Sequence, residues 1–235
     1  GYYIMRDDPS YMIVDCIPAD PKAPTGHKHN SRLSFDLFYN NRSFIIDPGT
    51  YVYTADKDMR NLFRSTRYHN TVVVDGEEQN KFSDRELFRM GLDATVNINK
   101  WIVNDTFDLL DAEHNGYTRL KEPIVHRRQI FFNKEKEYWI IKDIFTGEGS
   151  HQFDLYLHLA PMKLKTTGKN TIETDNSDGT NISIILLEEN GIKMEILDGW
   201  VSFGYGHKTN APILKYSKRA SVPTTITIAI TSRKT

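Results

Sequence analysis

The stretch Leu33-Ser34-Phe35-Asp36-Leu37-Phe38-Tyr39-Asn40-Asn41-Arg42-Ser43-Phe44-Ile45-Ile46-Asp47 decides the fold class. From position 33 to position 39 an apolar residue stands at every second place, and side chains two apart in a strand point to the same face. That face holds Leu33, Phe35, Leu37 and Tyr39. Asn40-Asn41 then supplies a turn, so Arg42 to Asp47 is predicted as the return strand of a hairpin.

The same period of two recurs along most of the chain. Further strands are predicted over 71–75, 125–132, 137–145, 152–159, 181–187, 192–197, 200–205 and 224–231. Only Ala55 to Phe63 has a helical pattern, with acidic residues near its start and arginines near its end. Many short strands separated by turns predict an all-β fold, a large antiparallel multi-sheet β-sandwich, forming one domain over 1–235.

Composition excludes several classes of function. The 235 residues carry 30 Lys and Arg against 31 Asp and Glu, a formal net charge of −1. This balance provides no basic surface for nucleic acid, and the chain has no run of about eighteen apolar residues for membrane insertion. The single cysteine, Cys16, excludes an internal disulfide and lies in an apolar strand pattern, so we expect a small core residue.

The residues that could carry chemistry are concentrated between Gly26 and Gly76. His27 and His29 lie two apart and would share one face of an extended segment, while Asp47 and His69 follow later. Neutral imidazoles and a carboxylate are good zinc ligands. The residues alone leave three alternatives open: a metal site, a solvated histidine pair beside a turn-forming aspartate, and an iron site like that of a cupin-type oxygenase.

Other residues of this segment are candidates for acid–base or binding roles. His27 could exchange protons near neutral pH, or be a solvated histidine. Arg64, Tyr68 and Asn70 could bind carboxylates and sugar hydroxyls, or form a polar surface turn. Tyr51 shares a face with a tyrosine two positions on, and could stack on a sugar ring or cover the sheet. The remaining histidines are expected to be surface or structural residues: His114, His126, His151, His158 and His207.

Several motifs, in this order, carry a resemblance to a known family. They are Gly26-His27-Lys28-His29 with Leu33-Ser34-Phe35, Ile46-Asp47-Pro48-Gly49-Thr50-Tyr51, and Arg64-Ser65-Thr66 with His69-Asn70-Thr71-Val72-Val73-Val74-Asp75-Gly76. A later match is Gly199-Trp200-Val201-Ser202 with Tyr205-Gly206. Together they resemble the heparinase II/III-like polysaccharide lyases, most strongly over residues 26–80.

The resemblance implies a fold and a set of roles. Members combine an N-terminal α/α toroid with a β-sandwich, and this chain resembles the β-sandwich alone. The resemblance implies that His29, Asp47 and His69 hold zinc, that His27 reaches the catalytic cleft, and that Tyr51 lies near the sugar. The implied partners are an acidic polysaccharide and the protein's own toroid domain, and the implied location is periplasmic or secreted.

The implied reaction is β-elimination on a uronic-acid-containing polysaccharide. The isolated β-domain is expected to be inactive, because the toroid supplies the other half of the cleft in this family. Heparan sulfate, alginate and bacterial surface polysaccharides all stay open as substrates. The alternative is a carbohydrate-binding or structural module without catalysis.

Two positions depart from the family pattern. Ser31 stands where the family often has an aspartate, which puts one supporting contact to the metal or to His27 in doubt. Lys28 replaces a small residue between the two histidines, and we expect it to point away from them.

Overall fold

The computed structural model describes residues 1–22, 24, 26–188 and 191–233. The strands within these residues are β1 (Tyr2–Asp7), β2 (Ser10–Asp15), β3 (Phe35–Tyr39), β4 (Arg42–Ile45), β5 (Val72–Val74), β6 (Val96–Val103), β7 (Phe107–His114), β8 (Ile124–Asn133), β9 (Tyr138–Gly147), β10 (Ser150–His158), β11 (Leu164–Gly168), β12 (Thr171–Thr174), β13 (Asn181–Leu186), β14 (Ile192–Gly204), β15 (His207–Ser221) and β16 (Thr224–Arg233). An α-helix, α1 (Lys57–Arg64), and a 3₁₀ turn at Thr66–Tyr68 lie between β4 and β5.

The strands form three antiparallel sheets. The first has the order β1-β2-β3-β4, the second β14-β15-β10-β5, and the third β11-β12-β13-β16-β9-β8-β7-β6. Buried side chains from all three sheets join in one apolar cluster. The predicted all-β, multi-sheet sandwich is therefore confirmed.

The hairpin predicted around Asn40-Asn41 is confirmed. β3 and β4 pair antiparallel, and Asn40 and Asn41 between them have φ angles of 45° and 62°. Two consecutive positive φ angles match the twist of a short hairpin, and asparagine tolerates them better than most residues. Leu33 is fully buried as expected, although it lies before the strand with a φ of 62°.

Some strands differ from the sequence prediction. The two strands predicted over 192–197 and 200–205 form one continuous strand, β14. Strands β1, β6, β7, β11, β12 and β15 were not predicted. Along β6 every side chain is exposed or half-buried. A strand with few buried side chains lacks the regular apolar alternation from which strands are predicted.

Cys16 and the aromatic core behave as the composition suggests. Cys16 is 2% exposed, and burial raises the pKa of its thiol to about 12, so it packs as a small apolar residue. Deeper in the core, the rings of Phe132 and Trp139 stack with centroids 4.5 Å apart and an interplanar angle of 3°.

The short helix is confirmed over most of its predicted length. Asp56 caps it by accepting bonds from the backbone N–H groups of Asp58 and Met59. Ser65 closes the other end, and its hydroxyl donates to the Leu62 carbonyl at 2.7 Å. This helix and the 3₁₀ turn pack on the second sheet through Phe63 and neighbouring aromatic residues. Among the described residues, no helix has the length and apolar character needed to cross a membrane.

Candidate functional site

The loop that follows β4 is shaped by Asp47, Pro48 and Gly49. The Gly49 N–H donates to Asp47 Oδ1 at 2.8 Å, which closes a tight turn. Gly49 has a φ of +85°, and a Cβ there would lie 2.3 Å from the backbone oxygen of Ser202. The Ser202 N–H also donates to the Pro48 carbonyl at 2.8 Å, so this loop is fixed against β14.

Asp47 and His69 form the centre of the candidate site. His69 is completely buried, and its Nδ1 lies 2.8 Å from Asp47 Oδ2. Burial alone would raise the pKa of Asp47, but the adjacent His69 more than reverses this and holds it at about 2. The other ring nitrogen of His69, Nε2, is buried and has no hydrogen-bond partner within the described structure. Such an unsatisfied nitrogen is uncommon in a protein interior and is free to bind a ligand.

His29 lies beside His69, and the two ring centroids are 5.2 Å apart. Burial, followed by the proximity of His69, lowers the pKa of His29 to about 3, so the ring is neutral at physiological pH. Arg60 Nη1 lies 3.1 Å from His29 Nε2. Because a guanidinium can only donate, this nitrogen must accept, and Nδ1 carries the proton. We call His29, Asp47 and His69 the outer cluster.

The outer cluster meets some requirements of a zinc site. Two imidazoles, one of them with an unpaired ring nitrogen, and an ionised carboxylate are the donor groups that zinc prefers. His29 Nε2 would have to exchange the Arg60 guanidinium for the ion. Within the described ranges, no group of three or more His, Cys, Asp or Glu residues is arranged to hold a metal ion. The donor set therefore fits zinc chemically, and the ligand assignment stays a prediction.

His27 lies apart from the outer cluster, at the protein surface. Its side chain is exposed, and Nδ1 is 3.1 Å from the hydroxyl of Tyr53. The rings of Phe88 and Tyr205 each stack near that of Tyr53, with centroids 6.0 Å away. The structure thus gives His27 a hydrogen-bond and ring contact with Tyr53, and its catalytic role stays a prediction.

The cavity beside these histidines has a volume of about 400 Å³. His27, His29, Asp47 and Thr50 line it together with Asp15. Its polar wall differs from the mostly apolar lining of ordinary small-molecule pockets and suits a hydrophilic ligand.

The carboxylate of Asp15 was not identified from the sequence. Ser31 Oγ donates to Asp15 Oδ2 at 2.6 Å, so the serine that departs from the family pattern contacts a carboxylate from β2. Asp36, predicted to face away from the apolar side of β3, lines an adjoining cavity of about 230 Å³. Burial and the nearby Asp47 raise the pKa of Asp36 to about 7.

Arg60 was also missed, since its sequence position indicates only the end of a short helix. It is completely buried, and its Nη2 donates to the Gly26 carbonyl at 2.9 Å. Its guanidinium lies 5.0 Å from the Tyr53 ring centroid. Arg60 therefore contacts three parts of the site: the Gly26 carbonyl just before His27, the ring of His29 and the ring of Tyr53.

Tyr51 and Tyr68 lie on the other side of the loop. Tyr51 has a φ of 62°, and its ring packs 5.4 Å from that of Phe63. Tyr68 is 5% exposed, and its hydroxyl accepts a bond from the Trp200 N–H at 3.0 Å. Both belong to the aromatic cluster over the second sheet, and their predicted contact with substrate stays a prediction.

Arg64 and Asn70 are engaged within the protein. The guanidinium of Arg64 donates to four backbone carbonyls of the segment 83–89 and to the Asn61 side chain. The Asn70 amide donates to two backbone carbonyls, and its Oδ1 accepts the His158 N–H at 2.6 Å. A contact of either side chain with substrate stays a prediction that would require these bonds to break.

Comparisons with known proteins identify the family of this chain. The family described as Heparinase II/III-like, C-terminal, matches residues 1–229. The chain is 26% identical over 214 residues to a heparin-sulfate lyase of Bacteroides stercoris, covering 87% of this chain and 29% of that protein. It is 27% identical over 226 residues to a heparin-sulfate lyase of Pedobacter heparinus, covering 93% of this chain and 31% of that protein.

Solved structures share the fold. The crystal structure of heparan sulfate lyase HepC from Pedobacter heparinus matches with a TM-score of 0.82 and 23% identity, covering all of this chain and 35% of that one. A structure described as the heparinase III-BT4657 gene product matches with the same TM-score and 20% identity. The chain spans about a third or less of the length of these proteins. It belongs to the heparinase II/III-like family, as that family's C-terminal domain.

Proposed function

We propose that this chain is the β-sandwich part of a polysaccharide lyase that acts on a uronic-acid-containing polymer of the heparan sulfate type. One observation carries the proposal. An exposed histidine, His27, lines one polar cavity together with His29 and Asp47 of the outer cluster, in a chain whose family match covers residues 1–229. The related lyases, named for heparin sulfate, supply the choice of polymer.

The proposed reaction is β-elimination. A base removes the proton from C5 of the uronic acid, and the electron pair left behind forms a C4–C5 double bond. The C4–O bond breaks, and the departing oxygen takes up a proton. A donor that neutralises the uronate carboxylate lowers the free energy of the carbanion-like state at C5.

His27 is the residue of this chain proposed to meet the reacting sugar. Its exposed ring can bind a sugar oxygen or act as a general acid or base. The Tyr53 hydroxyl at 3.1 Å from Nδ1 fixes the orientation of the ring. Residues outside this chain would supply the rest of the cleft, and we expect the chain alone to have little or no activity.

Zinc is proposed at the outer cluster, with His29, Asp47 and His69 as ligands. When bound, zinc would supply a fixed positive charge that joins the three loops carrying these residues. Support comes from the orphaned Nε2 of His69 and from the low pKa of His29, which keeps this ring neutral. Asp47 is held ionised by its contact with His69.

The proposal extends to partners and location. The partners would be the acidic polysaccharide and a helical toroid domain of the same protein. The intact protein would be periplasmic or secreted, where such polymers are found.

The test is the intact protein containing this chain, with the change His27→Ala. We expect kcat to fall by at least about a hundredfold, as for loss of a general acid or base, with the zinc content unchanged. The matched control is His207→Ala, another exposed histidine. The measurement is the absorbance of the unsaturated product formed from heparan sulfate.

Full activity of the His27→Ala protein would contradict the catalytic role. Binding of heparan sulfate without any unsaturated product, in a protein of correct fold and zinc content, would favour the alternative of a carbohydrate-binding module.

A further inference from the structure

A second groove lies on the face of the second sheet that carries α1. It has a volume of about 290 Å³, near the lower end of the range typical for small-molecule pockets. Its walls include Leu62, Arg67, Tyr68, Tyr156, Asp198 and Trp200. We call it the aromatic groove. It shares no lining residue with the cavity at the outer cluster.

Each of the two half-buried aromatic walls of the groove holds an ammonium group. Lys208 Nζ lies 4.3 Å from the ring centroid of Trp200, and Lys215 Nζ lies 5.5 Å from that of Tyr156. Lys215 also pairs with Asp154 at 3.3 Å. For Lys208, no ion pair forms among the described residues; its ammonium lies near the rings of Tyr51 and Trp200 and 3.9 Å from Met59 Sδ.

The rim of the groove adds a third cation. Arg67 is exposed, and its backbone carbonyl rather than its guanidinium makes the contact with His158. Asp198, also exposed, is the carboxylate that lines the groove. Arg67 is the cation that lines the groove, while the ammonium groups of Lys208 and Lys215 lie on the rings of Trp200 and Tyr156, which also line it. These three cations stand against the lining carboxylate of Asp198 and the paired one of Asp154, in a chain whose overall net charge is −1. The local charge favours an anionic ligand.

The aromatic groove is coupled to the loop of the outer cluster. Lys208 Nζ lies 5.0 Å from the Tyr51 ring, four residues after Asp47. The Tyr68 hydroxyl holds the Trp200 backbone in place. These contacts connect the groove to the loop that carries Asp47.

We propose that the aromatic groove binds one acidic sugar unit of the polysaccharide, with Trp200 and Tyr156 against the ring and Arg67 and Lys208 toward its carboxylate or sulfate. Aromatic faces match the apolar face of a sugar ring, the cations match its anionic group, and Asp198 can accept a hydroxyl. The identity of the sugar rests on the function proposed above.

The tryptophans provide the test. The chain has Trp101, Trp139 and Trp200, and only Trp200 lines the groove. We expect a heparan sulfate tetrasaccharide, added to the 235-residue chain, to shift the indole N–H signal of Trp200 in a ¹H–¹⁵N spectrum. The signals of Trp139, which is fully buried, and of Trp101 should stay in place. Each signal is assigned by its Trp→Phe variant.

Two variants measure the charge contribution. Arg67→Gln and Lys208→Gln should each weaken tetrasaccharide binding by about tenfold, the loss of one charge-assisted contact. Arg85→Gln and Lys193→Gln change exposed cations elsewhere and should leave the affinity unchanged.

Three outcomes would overturn the inference: no binding, binding without a Trp200 shift, or equal shifts with sodium sulfate alone or a neutral tetrasaccharide. The proposed function is tested by a separate measurement. Product formation by the intact protein that is lost in His27→Ala would stand even if Trp200 did not respond. If the Trp200 signal shifted but the His27→Ala protein kept full activity, sugar binding in the aromatic groove would be supported and the catalytic role of His27 would be contradicted.

Discussion

Two clusters of histidine and aspartate in this chain use the same residue types in opposite ways. The inner cluster, His114, His126, Asp143 and Arg128, lies within the third sheet. The Gly116 N–H donates to His114 Nδ1 at 3.2 Å, which leaves His114 Nε2 to donate to His126 Nδ1 at 3.1 Å. This chain of hydrogen bonds ends at the carboxylate of Asp143.

Asp143 completes the inner cluster. His126 Nε2 donates to its Oδ1 at 2.7 Å, and Arg128 binds both carboxylate oxygens at 2.7 and 2.9 Å. Burial opposes ionisation, but Arg128 and His126 hold the pKa of Asp143 at about 2. Every ring nitrogen in this cluster has a partner of the right kind.

In the outer cluster, by contrast, one buried ring nitrogen has no hydrogen-bond partner among the described residues. His69 Nε2 is buried without a partner in the described structure, and Asp47, which is partly exposed, contacts only one histidine. The difference teaches that histidine and aspartate together do not indicate a ligand site. The unsatisfied nitrogen of His69, next to His29 and Asp47 at the wall of a cavity, supports the proposed ligand site, because a network in which every group is paired has nothing left to bind with.

The largest effect is expected from breaking the inner cluster. Asp143→Ala leaves the buried Arg128 guanidinium and His126 without their acceptor, and should lower the free energy of unfolding by about 3–5 kcal/mol. Denaturant unfolding measures this, and Asp105→Ala, an exposed aspartate, is the control. A decrease in the free energy of unfolding of less than about 1 kcal/mol would show that the inner cluster contributes little to the stability of the fold.

The outer cluster should respond to zinc instead. Zinc at a hundred times its Kd should stabilise the chain by about 2.7 kcal/mol, because it binds the folded state. His29→Ala and His69→Ala should lose bound zinc and this gain, while His27→Ala and His207→Ala should keep both. Thermal unfolding with and without zinc, together with metal analysis of untagged protein, measures it. Equal zinc content in all four variants would remove the proposed ligand set.

The contrast also shows what the sequence could and could not predict. The residues of the outer cluster were identified because their motifs resemble a family and follow in order. Of the inner cluster, His114 and His126 were expected to be surface or structural residues, and their network with Arg128 and Asp143 was not predicted, since its geometry depends on strand register. His114 lies opposite His126, and Arg128 opposite Asp143, and no local pattern sets these pairs.

Arg60 could not be predicted for a related reason. Its local sequence indicates only the end of a helix. Its role depends on contacts with Gly26, His29 and Tyr53, which are distant from it in sequence. The all-β fold, by contrast, was predictable, because alternation over Phe35–Tyr39 and the asparagine turn are local properties.

The smallest effect concerns a third kind of histidine environment, at His151. Its Nδ1 faces Asp75 Oδ2, and its Nε2 lies 2.7 Å from the Glu148 carbonyl. Both partners accept, so both ring nitrogens carry protons and the ring is a cation, unlike the neutral rings of the inner cluster. Burial alone would lower the pKa of His151, but the bonds to Asp75 and Glu148 reverse this and raise it.

The sign of the pH dependence follows from that raised pKa. Histidine in the unfolded chain titrates near pH 6.5, so the stabilisation is fully present below that value and is lost as pH rises through the higher folded pKa. His151→Gln should therefore lower the free energy of unfolding by about 1–2 kcal/mol at pH 6, and by progressively less as the pH rises to 9. His207→Gln, at an exposed site, should show no such trend. A deficit in His151→Gln that stays constant from pH 6 to 9 would mean that the pKa of His151 is the same in the folded and the unfolded chain, because the deficit depends on pH only where the two states bind different numbers of protons.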